Sequence, residues 1–135
     1  ELQDHPAVLP VRYEFHAKAK EWNLAAEVAG VLVKLMPDQP AAWISSAYAT
    51  RRKAGGGIPL AKGILLAAEG RFPGDYLIRY NLACYCSQLH QFEEARKWLE
   101  QAVAIDGRTV KKIATGDPDL QPLWDSLGGT LWQRE

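Results

Sequence analysis

Three alanines and three helix-ending residues recur along this chain at nearly constant spacing, and that spacing restricts the fold more than any other feature. Ala25, Ala61 and Ala95 are separated by 36 and 34 residues, and Pro37, Pro73 and Gly107 keep the same two intervals. A period of this size means one supersecondary unit repeated, each copy leaving an open face for a neighbour to cover. The best-formed copy is Tyr80 to Gly107, YNLACYCSQLHQFEEARKWLEQAVAIDG, which reads as two helices joined by a tight turn.

Hydrophobic spacing supports helices throughout. His5-Pro6 opens the first, with Asp4 or His5 as cap, and Val8, Val11, Phe15, Ala19 and Trp22 recur at three- and four-residue steps with Leu9, Tyr13 and Ala17 on the adjoining flank. A second helix runs from Asn23 to Leu35, and a third from Asp38-Gln39-Pro40 to Arg51-Arg52-Lys53. Gly55-Gly56-Gly57 must be a turn, because three glycines carry too much backbone entropy for a helix. Further helices are expected over Pro59–Gly70, over Tyr76–Leu89 capped by Asp75, and over Phe92–Ile105 stopped by Gly107. Arg108 to Thr115 suits a short helix, and Asp117-Pro118-Asp119 starts another with Leu120, Leu123, Trp124 and Leu127 as its apolar stripe. Gly128-Gly129 ends it, and 131–135 is expected to be frayed or loosely docked. No strand-like alternation survives, so the expected fold class is all-α.

Length suits one domain over residues 1–135. Hydrophobic content of 47% with 24% charged residues fits a soluble globular chain. Sixteen basic side chains balance sixteen acidic ones, which argues against a dedicated nucleic-acid binder. The most apolar run, Leu24 to Met36, is interrupted by Glu27 and Lys34 and is too short to span a bilayer. Cys84 and Cys86 lie about 200° apart around a helix and cannot bridge each other, so a reducing, cytoplasmic location is expected. The chain starts at Glu1, in keeping with a processed or excised piece.

On these residues the chain resembles the tetratricopeptide repeat (TPR) family. The third unit (about 76–107) supplies Leu82-Ala83, Ala95, Leu99 and Ala102, and departs from the family pattern at Arg79, Cys86 and Gly107. The second (about 40–75) supplies Trp43, Ala47, Ala61, Leu65, Ala68 and Pro73, with a glycine turn two residues longer than the family norm. The first (about 6–39) matches in Trp22, Ala25 and Pro37. The resemblance implies antiparallel hairpins stacked as a short right-handed α-solenoid, with capping helices over about 108–129.

Candidate chemistry is thin. His5, His16 and His90 lack metal-ligand or triad spacing. Cys84-Tyr85-Cys86 lies mid-helix, where thiols pack and do not react. GIPLAK at 57–62 fails as a phosphate loop, since Ala61 replaces the second Gly. Glu93 and Glu94 suit the first turn of a helix, and Glu93 pairs with Lys97 at i, i+4. Arg51-Arg52-Lys53 either offsets a helix dipole or attracts an acidic partner. No catalytic, cofactor or metal residue is therefore expected.

The resemblance implies a scaffold that binds a partner peptide or helix along the concave face of the first helices. Carried over position by position, that face comprises Ile44, Tyr48, Arg51 and Arg52 in the second unit and Tyr80, Cys84, Ser87 and Gln88 in the third, with Glu14 and Lys18 from the first. Pro10, Glu14, Ser45, Leu77 and Asn81 stand where members that clamp chaperone carboxylate ends carry Lys, Asn and Arg, so that clamp is missing. The expected function is protein–protein interaction without catalysis, the partner being protein and acidic. The alternative is self-association, as a homo-oligomer or as part of a longer solenoid.

Overall fold

The structure is a computed structural model that describes residues 5–134. The expected cap at Asp4 and the terminal Glu135 lie outside the described residues. Among those residues the chain is all-helical, with no strand: α1 (Leu9–Lys18), α2 (Trp22–Leu35), α3 (Pro40–Arg52), α4 (Ile58–Ala68), α5 (Tyr76–Gln88), α6 (Phe92–Ala114) and α7 (Gln121–Leu127). No described helix is long and apolar enough to cross a membrane. Packing divides the chain into two compact units that meet in sequence at Phe72 and Pro73.

In the first unit α1 packs on α2, α2 on α3 and α3 on α4. Ala25, Ala29, Ala47, Ala49 and Ala61 are fully buried, and their small side chains let neighbouring backbones approach. Leu9, Tyr13, Val28 and Leu32 fill the space beside them. Helix α1 is oriented differently from the sequence expectation. Its buried stripe is Leu9 and Tyr13 with half-buried Ala17, whereas Val11 and Phe15 are each 68% exposed. Apolar residues occur on two sides of α1, and only contact with α2 and α3 selects which side is covered.

The second unit pairs α5 with α6, and a 3₁₀ turn at Pro118–Leu120 followed by α7 folds back onto both. Its core joins Ala83, Cys86, Ala95, Leu99, Ala102, Val110 and Ala114 to Leu120, Leu123 and Trp124. Asp75 caps α5 as expected, its Oδ1 accepting from Ile78 N at 2.9 Å. Of the two outcomes expected for the tail, its described residues dock: Leu131–Arg134 makes a 3₁₀ turn, and Leu131 and Trp132 pack against the core.

The backbone repeats as the alanine spacing does. After α1, Glu21 N donates to His16 O at 2.8 Å, and after α5, Gln91 N donates to Cys86 O at the same distance. Lys20 and His90 both hold φ of 58° at this turn, the left-handed conformation that usually selects glycine. In the middle hairpin the closing bond runs from Gly57 N to Thr50 O, seven residues apart where the others span five. Two inserted residues therefore lengthen the glycine turn, and the 36-residue interval follows. A Cβ on Gly56 would lie 1.9 Å from Thr50 O, so that position accepts only glycine without rearrangement.

The second helices end alike too. Met36 (φ −132°, ψ 58°), Phe72 (φ −128°, ψ 66°) and Asp106 (φ −147°, ψ 76°) share one non-helical conformation at 36- and 34-residue intervals. After Met36 and Phe72 a short linker leads to the next helix. At Asp106 the chain turns helical again at once, with Asp106 Oδ1 accepting from Thr109 N at 3.2 Å. Helix α6 is thus two helices broken at Asp106. The expected Gly107 stop falls one residue after the break, and glycine begins the next segment.

Candidate functional site

Helices α3 and α5 carry the expected partner-facing residues in the same register, 36 residues apart: Ile44 with Tyr80, Tyr48 with Cys84, Arg51 with Ser87, Arg52 with Gln88. Steps of three and four residues put each set on one face of its helix. The two faces meet different fates.

On α5 the face is covered by the chain itself. The Tyr80 hydroxyl donates to Asp117 Oδ2, and the Cys84 thiol lies 3.7 Å from the same oxygen. Gln88 Nε2 donates to Asp119 O at 3.0 Å, and Ser87 Oγ accepts from Leu123 N at 3.2 Å. Asp117 also caps its own turn, Oδ1 accepting from Asp119 N at 2.9 Å. Tyr80, Cys84 and Ser87 are consequently buried and Gln88 half-buried. Burial pushes the Tyr80 phenol far above its ordinary value of 10.0, and the neighbouring Cys84 and Asp117 add to the shift. Burial likewise pushes the Cys84 thiol well up, with Asp117 and Asp119 raising it further.

Cys84, Asp117 and Asp119 bring three potential ligand atoms within 4.8 Å of one another. The Asp117 carboxylate is already engaged by a phenol, a thiol and a backbone N–H. The cluster is a hydrogen-bonded node that fastens the C-terminal segment to α5.

On α3 the face opens onto a cleft of about 360 Å³ between α1 and α3. Tyr13, Glu14 and Lys18 border it from α1, Trp22 from the start of α2, and Ile44, Ser45 and Tyr48 from α3. The Trp22 and Tyr48 rings meet edge-to-face with centroids 5.6 Å apart. The Arg52 guanidinium sits 3.7 Å above the Tyr48 ring and 5.5 Å from Trp22, while its Nη1 donates to Tyr48 O at 2.9 Å. Tyr48 remains 44% exposed. Burial raises the Tyr13 phenol to about 12, although a hydrogen bond from Ser45 lowers it.

Of the expected residues, Ile44 and Tyr48 thus border one cleft, and Arg52 caps its aromatic edge. Arg51 is half-buried in the last turn of α3. Glu14 and Lys18, carried over from the weakest repeat, border the cleft as well. Tyr13 and Trp22 were not singled out for this face. Trp22 reads as a turn aromatic in the sequence, and its alignment with Tyr48 depends on how α2 sets against α3. The histidines are engaged locally and separately: His16 Nδ1 is 3.0 Å from Glu21 Oε1, His5 Nδ1 accepts from Ala7 N, and His90 packs on Phe92. Glu93 and Lys97 pair at 3.7 Å on an exposed face, as expected. Cys84 and Cys86 are both free and buried. No protein-family profile matches the chain, and no curated protein matches it.

Proposed function

We propose that this chain is a TPR-like, non-catalytic interaction module whose hairpins stack as a short solenoid. It binds a peptide or helix of a partner protein on the α1/α3 face. One observation carries the reading: two equivalent helix faces exist, and one is filled by the chain's own segment while the other is open and lined by aromatic rings and a cation. Rings supply contact area at low entropic cost and Arg52 supplies direction, the combination that dominates binding energy at protein interfaces. The contacts on α5 support the reading further, since they illustrate what such a face holds. Buried free thiols suit the reducing conditions of the cytoplasm.

The test is capture from lysate by the full chain against Tyr48→Ala and Arg52→Ala. Loss of the same captured protein in both variants is expected, and unchanged capture refutes the reading.

Self-association has one observation in its favour. Phe15 is 68% exposed, whereas its repeat equivalents Ala49 and Tyr85 are buried, so the α1 flank has the character of a surface that another helix covers. Light scattering across a concentration series decides it, and a mass fixed at one chain excludes it.

A further inference from the structure

The first and last hairpins correspond at one constant offset of 70 residues. Ala25 and Ala95 keep it, as do the left-handed Lys20 and His90 and the helix ends Met36 and Asp106. The closing bonds, Glu21 N to His16 O and Gln91 N to Cys86 O, keep it too. At this offset Pro10, Glu14, Ala17 and Lys18 of α1 stand where α5 has Tyr80, Cys84, Ser87 and Gln88, the face that the chain's own 3₁₀ turn and α7 cover. Leu120 and Leu123, three residues apart, are fully buried in that cover and share a core with Tyr80, Ala83 and Cys84. The counterparts of those three in the first unit are Pro10, Tyr13 and Glu14, and they border a cavity of about 240 Å³ closed by Leu32 and Met36 of α2 and Ala42 of α3. It adjoins the α1/α3 cleft of about 360 Å³, with which it shares Tyr13, Glu14 and Ser45. About 150 Å³ already admits a benzene-sized group, so cavity and cleft together have room for two aliphatic side chains.

We infer that the α1/α3 cleft takes a short helical segment of a partner protein with aliphatic side chains at positions i and i+3 and a basic residue at i−3, in the place that residues 117–123 hold on α5. The inference rests on the partner-binding reading above and specifies the chemistry of the partner. The aliphatic pair enters against Leu32 and Met36, as Leu120 and Leu123 fill the core of the second unit. The leading residue has the opposite sign because the face differs. Asp117 is held by the Tyr80 hydroxyl and lies beside the Cys84 thiol, whereas Pro10 offers no donor and Glu14 presents an exposed carboxylate. A carboxylate in that place meets like charge, and an ammonium or guanidinium meets its opposite. One turn further on, Lys18 keeps a donor where Gln88 donates to Asp119 O. Ala17 gives no acceptor in place of Ser87, so the segment is read through its side chains.

The chain holds one methionine, Met36, in the wall of the cavity, so ¹³C-methyl methionine labelling of the full chain gives a single reporter. The experiment titrates it with the synthetic peptide Lys-Pro-Asp-Leu-Gln-Pro-Leu-Trp-Asp-Ser-Leu, residues 117–127 with Asp117→Lys. Expected is a shift of the Met36 methyl signal that saturates below about 1 mM peptide. The same peptide with Leu120→Ala and Leu123→Ala binds at least about tenfold more weakly, as the loss of two buried aliphatic side chains implies. The peptide that keeps Asp117 binds about fivefold more weakly than the Lys-led one, and Glu14→Gln in the chain removes that difference. Ala41→Trp, at the exposed rim of the cavity, blocks every peptide with circular dichroism retained. Equal affinity of the alanine peptide overturns the inference, as does equal affinity of the Lys-led and Asp-led peptides. So does a Met36 signal that stays still up to about 1 mM of every peptide, or one that moves with the concentration of the chain alone, which makes a second copy the occupant. In each of these cases lysate capture by the Tyr48→Ala and Arg52→Ala variants still decides the broader reading on its own.

Discussion

Replacing Asp117 by alanine should unfasten the C-terminal segment from α5, and its cost can be divided. The side chain caps the turn at Asp119 N and accepts from the Tyr80 hydroxyl. Loss of a cap costs about 1 kcal/mol. The Tyr80 hydroxyl, on a residue only 4% exposed, then lacks its acceptor, and an orphaned buried donor costs about 2 kcal/mol more. Asp117→Ala is therefore expected to lower stability by about 3 kcal/mol. Tyr80→Phe removes the donor and leaves the carboxylate able to reach water, for a loss of about 1 kcal/mol. In the double variant the Tyr80 donor is removed together with its acceptor, so the loss falls short of the summed single losses by about 2 kcal/mol. Urea unfolding followed by far-UV circular dichroism and tryptophan fluorescence measures all four proteins, and coincidence of the two probes checks that a single transition is read. Additivity within about 0.5 kcal/mol would refute the reasoning, because Asp117 and Tyr80 would then act independently and the segment would be held by Leu120, Leu123 and Trp124 alone.

Three further outcomes follow from the same geometry. Lys20→Gly should raise stability by about 0.5–1 kcal/mol, since the left-handed conformation strains any Cβ and lysine is exposed there; His90→Gly should gain less, because it forfeits the ring contact with Phe92. A loss in Lys20→Gly would contradict the turn geometry. Gly56→Ala should destabilise by about 2 kcal/mol or more, because its Cβ meets the Thr50 carbonyl and the glycine turn must reopen; a neutral result in thermal melts would place the turn elsewhere. The buried phenols make the fold sensitive to alkali. Both tyrosines have folded pKa values above the unfolded value of 10.0, so their contribution is fully present below about pH 10 and is lost as pH rises, for Tyr13 across roughly 10 to 12. Urea midpoints should fall above pH 10, and Tyr80→Phe should flatten that fall; an unchanged profile in the variant would contradict the burial of Tyr80.

Local spacing made most of the helices legible. Asp75 and Asp117 read as caps because a short carboxylate before a helix can reach an N–H two or three residues on, wherever the remainder of the chain goes. The glycine turn read correctly because backbone entropy is local. Harder to read were Lys20 and His90, which take the left-handed turn position without being glycine, so the first and third hairpins share a turn that composition conceals. The break at Asp106 was visible as a stop at Gly107 and the return to helix as the segment expected over Arg108 to Thr115; that the two abut without a linker was not, because it depends on Asp106 serving both as the end of one helix and as the cap of the next.

The candidate site divides along the same line. Periodicity put Ile44, Tyr48 and Arg52 on one face and Tyr80, Cys84, Ser87 and Gln88 on another, because positions three and four apart share a side of any helix. That much the sequence determined alone, together with the caps, the turns and the repeat interval. Which face of α1 is buried, whether Trp22 meets Tyr48, and which of the two equivalent faces stays open were decided only by tertiary structure. Each depends on contacts between residues far apart in the chain, where a pattern along one helix carries no information about what lies across from it. Asp117 shows the difference: it reads as a cap in the sequence, and as the group that closes the α5 face only once the segment has folded back.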